Sequence, residues 1–456
     1  MRRILMAPAA SWLAAAALGG ATQEARLTPN NPLTSDILGY DLAFDGASVL
    51  AGAPFQTISG VSQPGRAFIF EPIEGVWQQT ARLRMDVLQT QAWFGIATAI
   101  DGDTAAVGAP GEDTTVQNAG AVYLFTRAAG EWTQTDRLAP PEAAEFASLG
   151  SSLALRGDTL VVGAEFDTNP AGAFAGAAYV FERDGAWAQV ARLVGSDTAP
   201  SDDFGIDVAL DDTTLAVGAI SNDHSGRVDP GAAYVFERAA GAWEETAKLI
   251  ASDPRDDARF AEALAVDGDT LVVGAPGVEV EELQDAGAAY VFERSPAGWM
   301  QIARLEAPDP EDGSFFGIDV AVSGETILVG AYLEGHASGT GVVHVFRRAA
   351  GLWTFAEQFS ATDSGGILFG WRAKLAGARA AIAAPFYQTN RGAAYVFSGV
   401  AGGCDSAGCE LGDIDGDCCV SLDDLTLLLS GFGAEYDFQD LANLLSQFGN
   451  DCGGCQ

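Results

Sequence analysis

Six oxygen donors fall at positions 1, 3, 5, 7, 9 and 12 of a twelve-residue stretch near the C-terminus. They are the carboxylates of Asp413, Asp415, Asp417 and Asp424, the main-chain carbonyl of Cys419 and the hydroxyl of Ser421. Four carboxylates held together repel one another, and a hard divalent cation offsets that repulsion. Six or more oxygens on a flexible loop suit calcium better than magnesium. Calcium is therefore the expected cofactor and these six residues its expected ligands. The competing reading is a disulfide-bonded acidic tail without metal.

Elsewhere the catalytic inventory is thin. The histidines are His224, His336 and His344, and none has a repeat-placed Ser or Asp partner that would make a triad. There is no HExxH, no Walker loop and no nucleophile elbow. Acidic pairs are frequent enough to leave a glycosidase dyad open. The chain is thus expected not to be an enzyme. Asp197, Asp253, Asp309 and Asp363 recur at one place in four successive segments, followed by Asp202, Asp203, Asp256, Asp257 and Asp312. They could be a ring of cation ligands or, the favoured reading, side chains that shape identical turns.

The elements that position these residues come from internal repetition. FGIATAIDGDTAAVGAP begins at Phe94, with relatives starting at Leu38, Leu149, Phe204, Phe260, Phe316 and Phe369. The starts are 56, 55, 55, 56, 56 and 53 residues apart. Each copy predicts four short strands: a after the Phe-Gly pair, b at the TLVVGA run, c at GAAYVFER and d at the W-x-x-x-ARL segment. A DG or GD turn joins a to b, as tight hairpins prefer. The strands read as apolar on both faces, which suits sheets packed between sheets. Tyr290 and Phe292 should share one face, with Val291 on the other. Four strands per unit and no helical period predict an all-β, seven-bladed β-propeller of four-stranded antiparallel blades.

The last copy lacks strand d after GAAYVFSG, and residues 22–27 supply the matching sequence. The N-terminal strand is therefore expected to complete the seventh blade and close the ring, removing exposed edges. The a–b and c–d turns then share one face. The b–c loops and d–a linkers share the other. The b–c loops hold 11, 10, 11, 11, 11, 9 and 7 residues and differ freely in sequence, so recognition is expected on their face. The repeated tryptophans (Trp77, Trp132, Trp187, Trp243, Trp299, Trp353) are expected to pack between blades.

The Phe-Gly and Gly-Ala-Pro pairs of these copies resemble the FG-GAP repeat family, the propeller family of the integrin α head and of many exported bacterial proteins. The resemblance covers about residues 22–399. Some copies depart from it: Glu165, Ile220 and Tyr332 replace the proline, and Phe260-Ala261 replaces Phe-Gly. Calcium loops of the integrin kind are not expected, because the a–b turns are too short to wrap an ion.

After Gly399 the composition changes. From Cys404 to Gln456 there are 11 acidic residues and no Lys or Arg. All six cysteines lie there, at 404, 409, 418, 419, 452 and 455. An even, clustered set in an exported chain reads as disulfides stapling a module too small to hold itself by burial. Cys452-x-x-Cys455 lacks the second pair that a zinc site needs. DLTLLLSGFG recurs as DLANLLSQFG 16 residues later, a small α-helical pair. The loop and these helices resemble a dockerin domain with one EF-hand-type calcium loop. Cys418 stands at the usual turn glycine, and the second unit is too short for a second ion.

At the N-terminus Arg2 and Arg3 precede an apolar run, and small residues end at Ala21, as in a secretory signal. The expected organisation is a signal over 1–21, the propeller over 22–399 and the cysteine-rich calcium module over 400–456. With 24 basic against 62 acidic residues and a net charge of −38, the chain should repel nucleic acid and anionic membranes. No transmembrane segment is expected after signal cleavage. The favoured reading is a secreted or cell-surface monomer that binds an extracellular protein or polysaccharide. The alternative is a propeller hydrolase or lyase acting on extracellular polysaccharide, recruited through the dockerin-like tail.

Overall fold

The structure, a computed structural model, describes residues 20–400 except 33–35, 141, 240, 336–339 and 363–367. The signal region up to residue 19, His336, Asp363, all six cysteines and the six calcium-ligand candidates Asp413, Asp415, Asp417, Cys419, Ser421 and Asp424 lie outside the described residues.

The described strands form seven four-stranded antiparallel sheets, each in the order a-b-c-d. The fifth blade shows why. Its strands are Ala263–Asp267, Thr270–Ala275, Ala288–Ser295 and Gly298–Leu305. Strand c alternates between two interfaces. Tyr290 and Phe292 pack with Ala233, Val235 and Leu249 of blade 4, while Ala289 and Val291 pack with Ile327, Val329 and Phe346 of blade 6. Every blade thus buries both faces of strands b and c, and the core is a set of inter-blade layers. Strand d departs from the expectation. It alternates exposed and half-buried residues, as in EWTQTDRL of blade 2, because it is the outer rim with no neighbour beyond it.

The repeat glycines are needed where neighbouring blades meet. The Gly95 amide donates to the Gly108 carbonyl of its own blade at 2.9 Å. A methyl group on Gly108 would collide with the carbonyl oxygen of Gly150 in the next blade. Gly150 itself has φ of +92°, a conformation that costs little only without a Cβ.

A second set of contacts repeats on the tight-turn face. Arg294 of strand c donates to Asp269 in its own a–b turn at 2.7 Å and pairs with Glu237 of blade 4 at 3.3 Å. Its guanidinium lies 5.6 Å from the centre of the Trp299 ring. Arg127, Arg183 and Arg348 cover Trp132, Trp187 and Trp353 in the same way. The tryptophans cover the inter-blade layers, as the sequence predicts.

The ring closes as expected. Strand Thr22–Leu27 pairs antiparallel with Ala393–Ser398, from Thr22 opposite Ser398 to Leu27 opposite Ala394, with one register shift between Gln23 and Ala25. It completes the sheet formed with Ala373–Ala376 and Arg379–Ala384. A helical turn, Tyr387–Asn390, occupies the last b–c loop.

Candidate functional site

Seven a strands side by side line a central channel, and the residues that follow each Phe-Gly pair face it. At the fourth place of the repeat, counted from that Phe, stand Asp41, Ala97, Ser152, Asp207, Ala263, Asp319 and Arg372. Each aspartate reaches the next blade. Asp41 accepts from the Thr98 amide at 2.6 Å and its hydroxyl at 2.8 Å. Asp207 accepts from the Leu264 amide at 2.7 Å, and Asp319 from the Ala373 amide at 2.7 Å. Blade 7 adds two cations, Arg372 to Asp41 at 3.3 Å and Lys374 to Asp319 at 3.2 Å.

The channel widens into a cavity of about 540 Å³. Phe55, Pro110, Glu165, Phe166 and Tyr332 line it from the ends of the b strands, so it opens on the loop-rich face. Aromatic rings form one arc of the mouth. Tyr40 meets Phe55 edge-on with centroids 5.2 Å apart. Trp371 lies 5.9 Å from Tyr40 and meets Tyr332 nearly perpendicularly at 5.1 Å. Tyr332 stacks on Phe315 at 5.4 Å. The Trp371 indole is fixed by its N–H, which donates to the Tyr40 carbonyl at 2.8 Å.

The charges do not balance. The cavity is lined by five carboxyl residues, Asp41, Glu165, Asp207, Glu262 and Asp319, and by three cationic ones, Arg259, Arg372 and Lys374. Arg259 pairs with Glu262 at 2.8 Å, Arg372 with Asp41 and Lys374 with Asp319. Glu165 and Asp207 are left without a cation. Enclosure pushes the Asp207 carboxyl up to about 7, with Asp319 adding to the effect and Lys374 opposing it. Burial likewise pushes Glu165 up to about 7, with Asp203 and Glu262 adding to it. Lys374 and Arg372 hold their protons more firmly than usual: enclosure works against the charge, but Asp319, Asp41 and Asp207 outweigh it.

Two of the linker aspartates reach beyond their own turn. Asp197 accepts from the Tyr234 hydroxyl at 2.6 Å and from Lys248 at 2.7 Å. Asp253 accepts from the Tyr290 hydroxyl at 3.1 Å and faces Arg304 at 3.6 Å. They anchor these two linkers to strands c and d of the following blade. Asp202, Asp256 and Asp312 accept backbone amides of linkers and b–c loops, from Ala199, Val228 and Gln284. In blade 6 His344 replaces the tyrosine and meets Glu334 at 2.6 Å. His224 bonds to Ser225 and to the Gly231 carbonyl. A notch between blades 1 and 2 on the opposite face is lined by Glu71, Asp103 and Arg127, which already pair with one another.

The channel residues escaped the sequence reading as a site. Glu165 and Tyr332 registered only as departures from Gly-Ala-Pro, and Trp371, Arg372 and Lys374 did not register at all. The available signal was the set of columns that hold charged or aromatic residues in some copies and small or apolar ones in the others.

A closed antiparallel ring with structural latches between blades and one irregular mouth is the architecture of a propeller that presents a surface to a partner. The FG-GAP repeat profile matches residues 77–125, 132–181, 187–236, 243–292 and 299–346, more than half of the chain. The protein belongs to the FG-GAP repeat family. Each matched segment runs from the Trp of one strand d to strand c of the next blade, so the family unit spans a blade boundary. No curated protein matches the chain.

Proposed function

We propose that this is an exported binding protein whose ligand enters the mouth of the propeller channel on the loop-rich face. The observation that carries the reading is the convergence of repeat-breaking residues. Glu165 and Tyr332 stand where four of the seven copies hold proline, Glu262 and Trp371 stand where three copies hold isoleucine, Arg372 stands where three hold aspartate, and all of them line one cavity. Residues that only hold blades together recur from copy to copy, as the Arg–Trp pairs do. The segment over 400–456 is read as a calcium-dependent attachment module, on the strength of its donor spacing. The basic n-region and apolar run ahead of Ala21 support secretion or display at the cell surface, with an extracellular protein or polysaccharide as the ligand.

A hydrolase acting on extracellular polysaccharide is the second reading. One observation favours it: a general acid must hold a proton near neutral pH, and Glu165 is pushed into that range. The test is to present the secreted full chain to immobilised polysaccharides and extracellular proteins, scoring retention and product release separately. Retention lost in Tyr332→Ala but kept in Arg127→Ala, on the opposite face, supports binding at the mouth. Retention that depends on neither side chain overturns it. Product release abolished by Glu165→Gln supports the enzymatic reading instead.

A further inference from the structure

We propose that the loop face of blade 3, beside the channel mouth, docks a protein segment in which apolar side chains are flanked by lysine or arginine, with Phe146, Phe166 and Phe174 as the apolar anchors. The inference rests on the reading of the loop-rich face as the binding face and names the class of partner.

Backbone conformation is the first argument. The residue two places before the glycine that precedes strand c is left-handed at Gln63, Asn118, Phe174, Asp229, Asp285 and Asn390, with φ from +46° to +64°. The residue three places before the repeat start is left-handed at Gln91, Phe146, Ser201, Asp257 and Gly313, with φ from +55° to +67°. Asn, Asp and Gly tolerate that conformation, whereas a bulky side chain is strained in it. Among the described copies phenylalanine enters these columns only at 146 and 174. Both are exposed, at 42% and 46%, and Phe166 is exposed at 40%. Burial within the chain does not account for them, and an apolar surface that another molecule covers does.

The loops that carry them are fixed. Phe166 and Phe174 meet edge-to-face with centroids 6.1 Å apart. Asp167, next to Phe166, accepts from the Tyr179 hydroxyl at 2.7 Å and from Arg192 at 2.6 Å. It also accepts from the Ala144 amide at 3.2 Å, which ties this loop to the linker that carries Phe146. On the other side the Ser201 amide donates to the Ala173 carbonyl at 3.2 Å. A platform fixed in advance loses little freedom on binding.

Charge names the partner. The linkers and b–c loop of this blade, residues 139–148, 165–176 and 194–203, hold seven acidic residues and no Lys, Arg or His. Arg192 and Lys248 pair with Asp167 and Asp197. Glu142, Glu145, Glu165, Asp202 and Asp203 form no ion pair among the described residues. A cationic partner complements that field. A second copy of this chain, at a net charge of −38, does not, and neither do its own residues 404–456, with 11 acidic residues and no Lys or Arg. An anionic membrane is repelled as well. A sugar ring stacks on a flat aromatic face, and the Phe166 and Phe174 rings stand at 90° to one another.

The probe is a capped hexapeptide of alternating lysine and leucine, titrated calorimetrically into the full chain. Its counterparts with glutamate for lysine and with serine for leucine are the controls. The expected result is saturable binding of the lysine–leucine peptide that weakens with added salt, and none of the glutamate form. The serine form should bind more weakly by about tenfold or more. Phe174→Asn restores the residue type of the other copies. It should weaken binding by about tenfold or more and leave the melting temperature unchanged or raised, a combination that a purely structural phenylalanine would not give. Glu142→Gln combined with Glu145→Gln should weaken binding and flatten its salt dependence. Leu352→Ala, an exposed apolar residue on strand d of blade 6, should change nothing. Absence of saturation, equal binding of the glutamate peptide, or unchanged affinity in Phe174→Asn overturns the proposal. So does retention of a polysaccharide that Phe174→Asn abolishes, which would assign the patch to a sugar. Retention at the channel mouth that Tyr332→Ala removes and Phe174→Asn leaves intact would keep the binding reading and drop only this partner.

Discussion

Arg372 of the last blade and Asp41 of the first meet at 3.3 Å inside the channel, and the same aspartate bonds the amide and hydroxyl of Thr98 in the second blade. One carboxylate therefore joins three blades across the seam of the ring. Removing it leaves Arg372, which is 26% exposed, without its nearest counter-charge. Asp41→Ala should lower unfolding stability by about 2–4 kcal/mol. Arg372→Met keeps the stem and removes the charge, and it should cost less. Chemical denaturation of the two variants checks the order, and a larger loss in Arg372→Met would contradict it.

The enclosed Glu165 sets a dependence on pH with a definite sign. Its folded-state proton affinity is raised from the ordinary carboxylate range to about 7. The folded state then binds more protons than the unfolded chain between these limits, so stability falls as pH rises through that window. Glu165→Gln should be neutral near pH 4, where the carboxyl is protonated in both states. Above pH 7 it should stabilise by about 1–3 kcal/mol, allowing for water in the channel. Melting curves of both proteins at pH 4 and pH 8 test this; a larger gain at pH 4 would contradict the sign.

Contact between Phe-Gly and Gly-Ala pairs of successive blades predicts how a glycine substitution fails. Gly108→Ala drives a methyl into the Gly150 carbonyl, which is backbone and has no room to yield. It should cost about 3 kcal/mol or more, or prevent folding. Gly60→Ala, with φ of +85° and open space around it, should cost only about 1 kcal/mol. Yields and denaturation midpoints of the two variants should differ accordingly.

The donor spacing over 413–424 predicts calcium uptake by the full chain. Added calcium should raise the melting temperature of the C-terminal transition, as a ligand of the folded state does. Asp417→Ala should abolish the rise. Calorimetry showing no uptake at millimolar calcium would exclude the site.

Much of the architecture was legible because it repeats. The alternation of Tyr290, Val291 and Phe292 predicts two buried interfaces, and both are present. Residues 22–27 identify the missing strand by likeness alone. Strand d was misread as buried on both faces, since its tryptophan and final leucine resemble core residues while the rest faces water. The linker aspartates were legible as a series but not as partners. Asp197 and Tyr234 are 37 residues apart, as are Asp253 and Tyr290, and nothing local to either residue shows the pairing. The channel was harder still. Tyr40 and Trp371 become neighbours only because the ring closes, and a site assembled from exceptions leaves no periodic trace.

Closure by Thr22–Leu27 also joins the two most distant parts of the described chain. This strand is synthesised before the blades, yet its partner, Ala393–Ser398, is made after almost all of them. No local pairing can satisfy it in the meantime. Six blades can form from neighbouring segments as the chain grows, while the seventh waits for a contact spanning more than 360 residues. The seam is the strand pairing of highest sequence separation in the ring. The Tyr40–Trp371 wall and the Asp41–Arg372 pair straddle that seam. The aromatic arc of the channel mouth is complete only when Thr22–Leu27 has closed the seventh blade, so an open ring also lacks that arc.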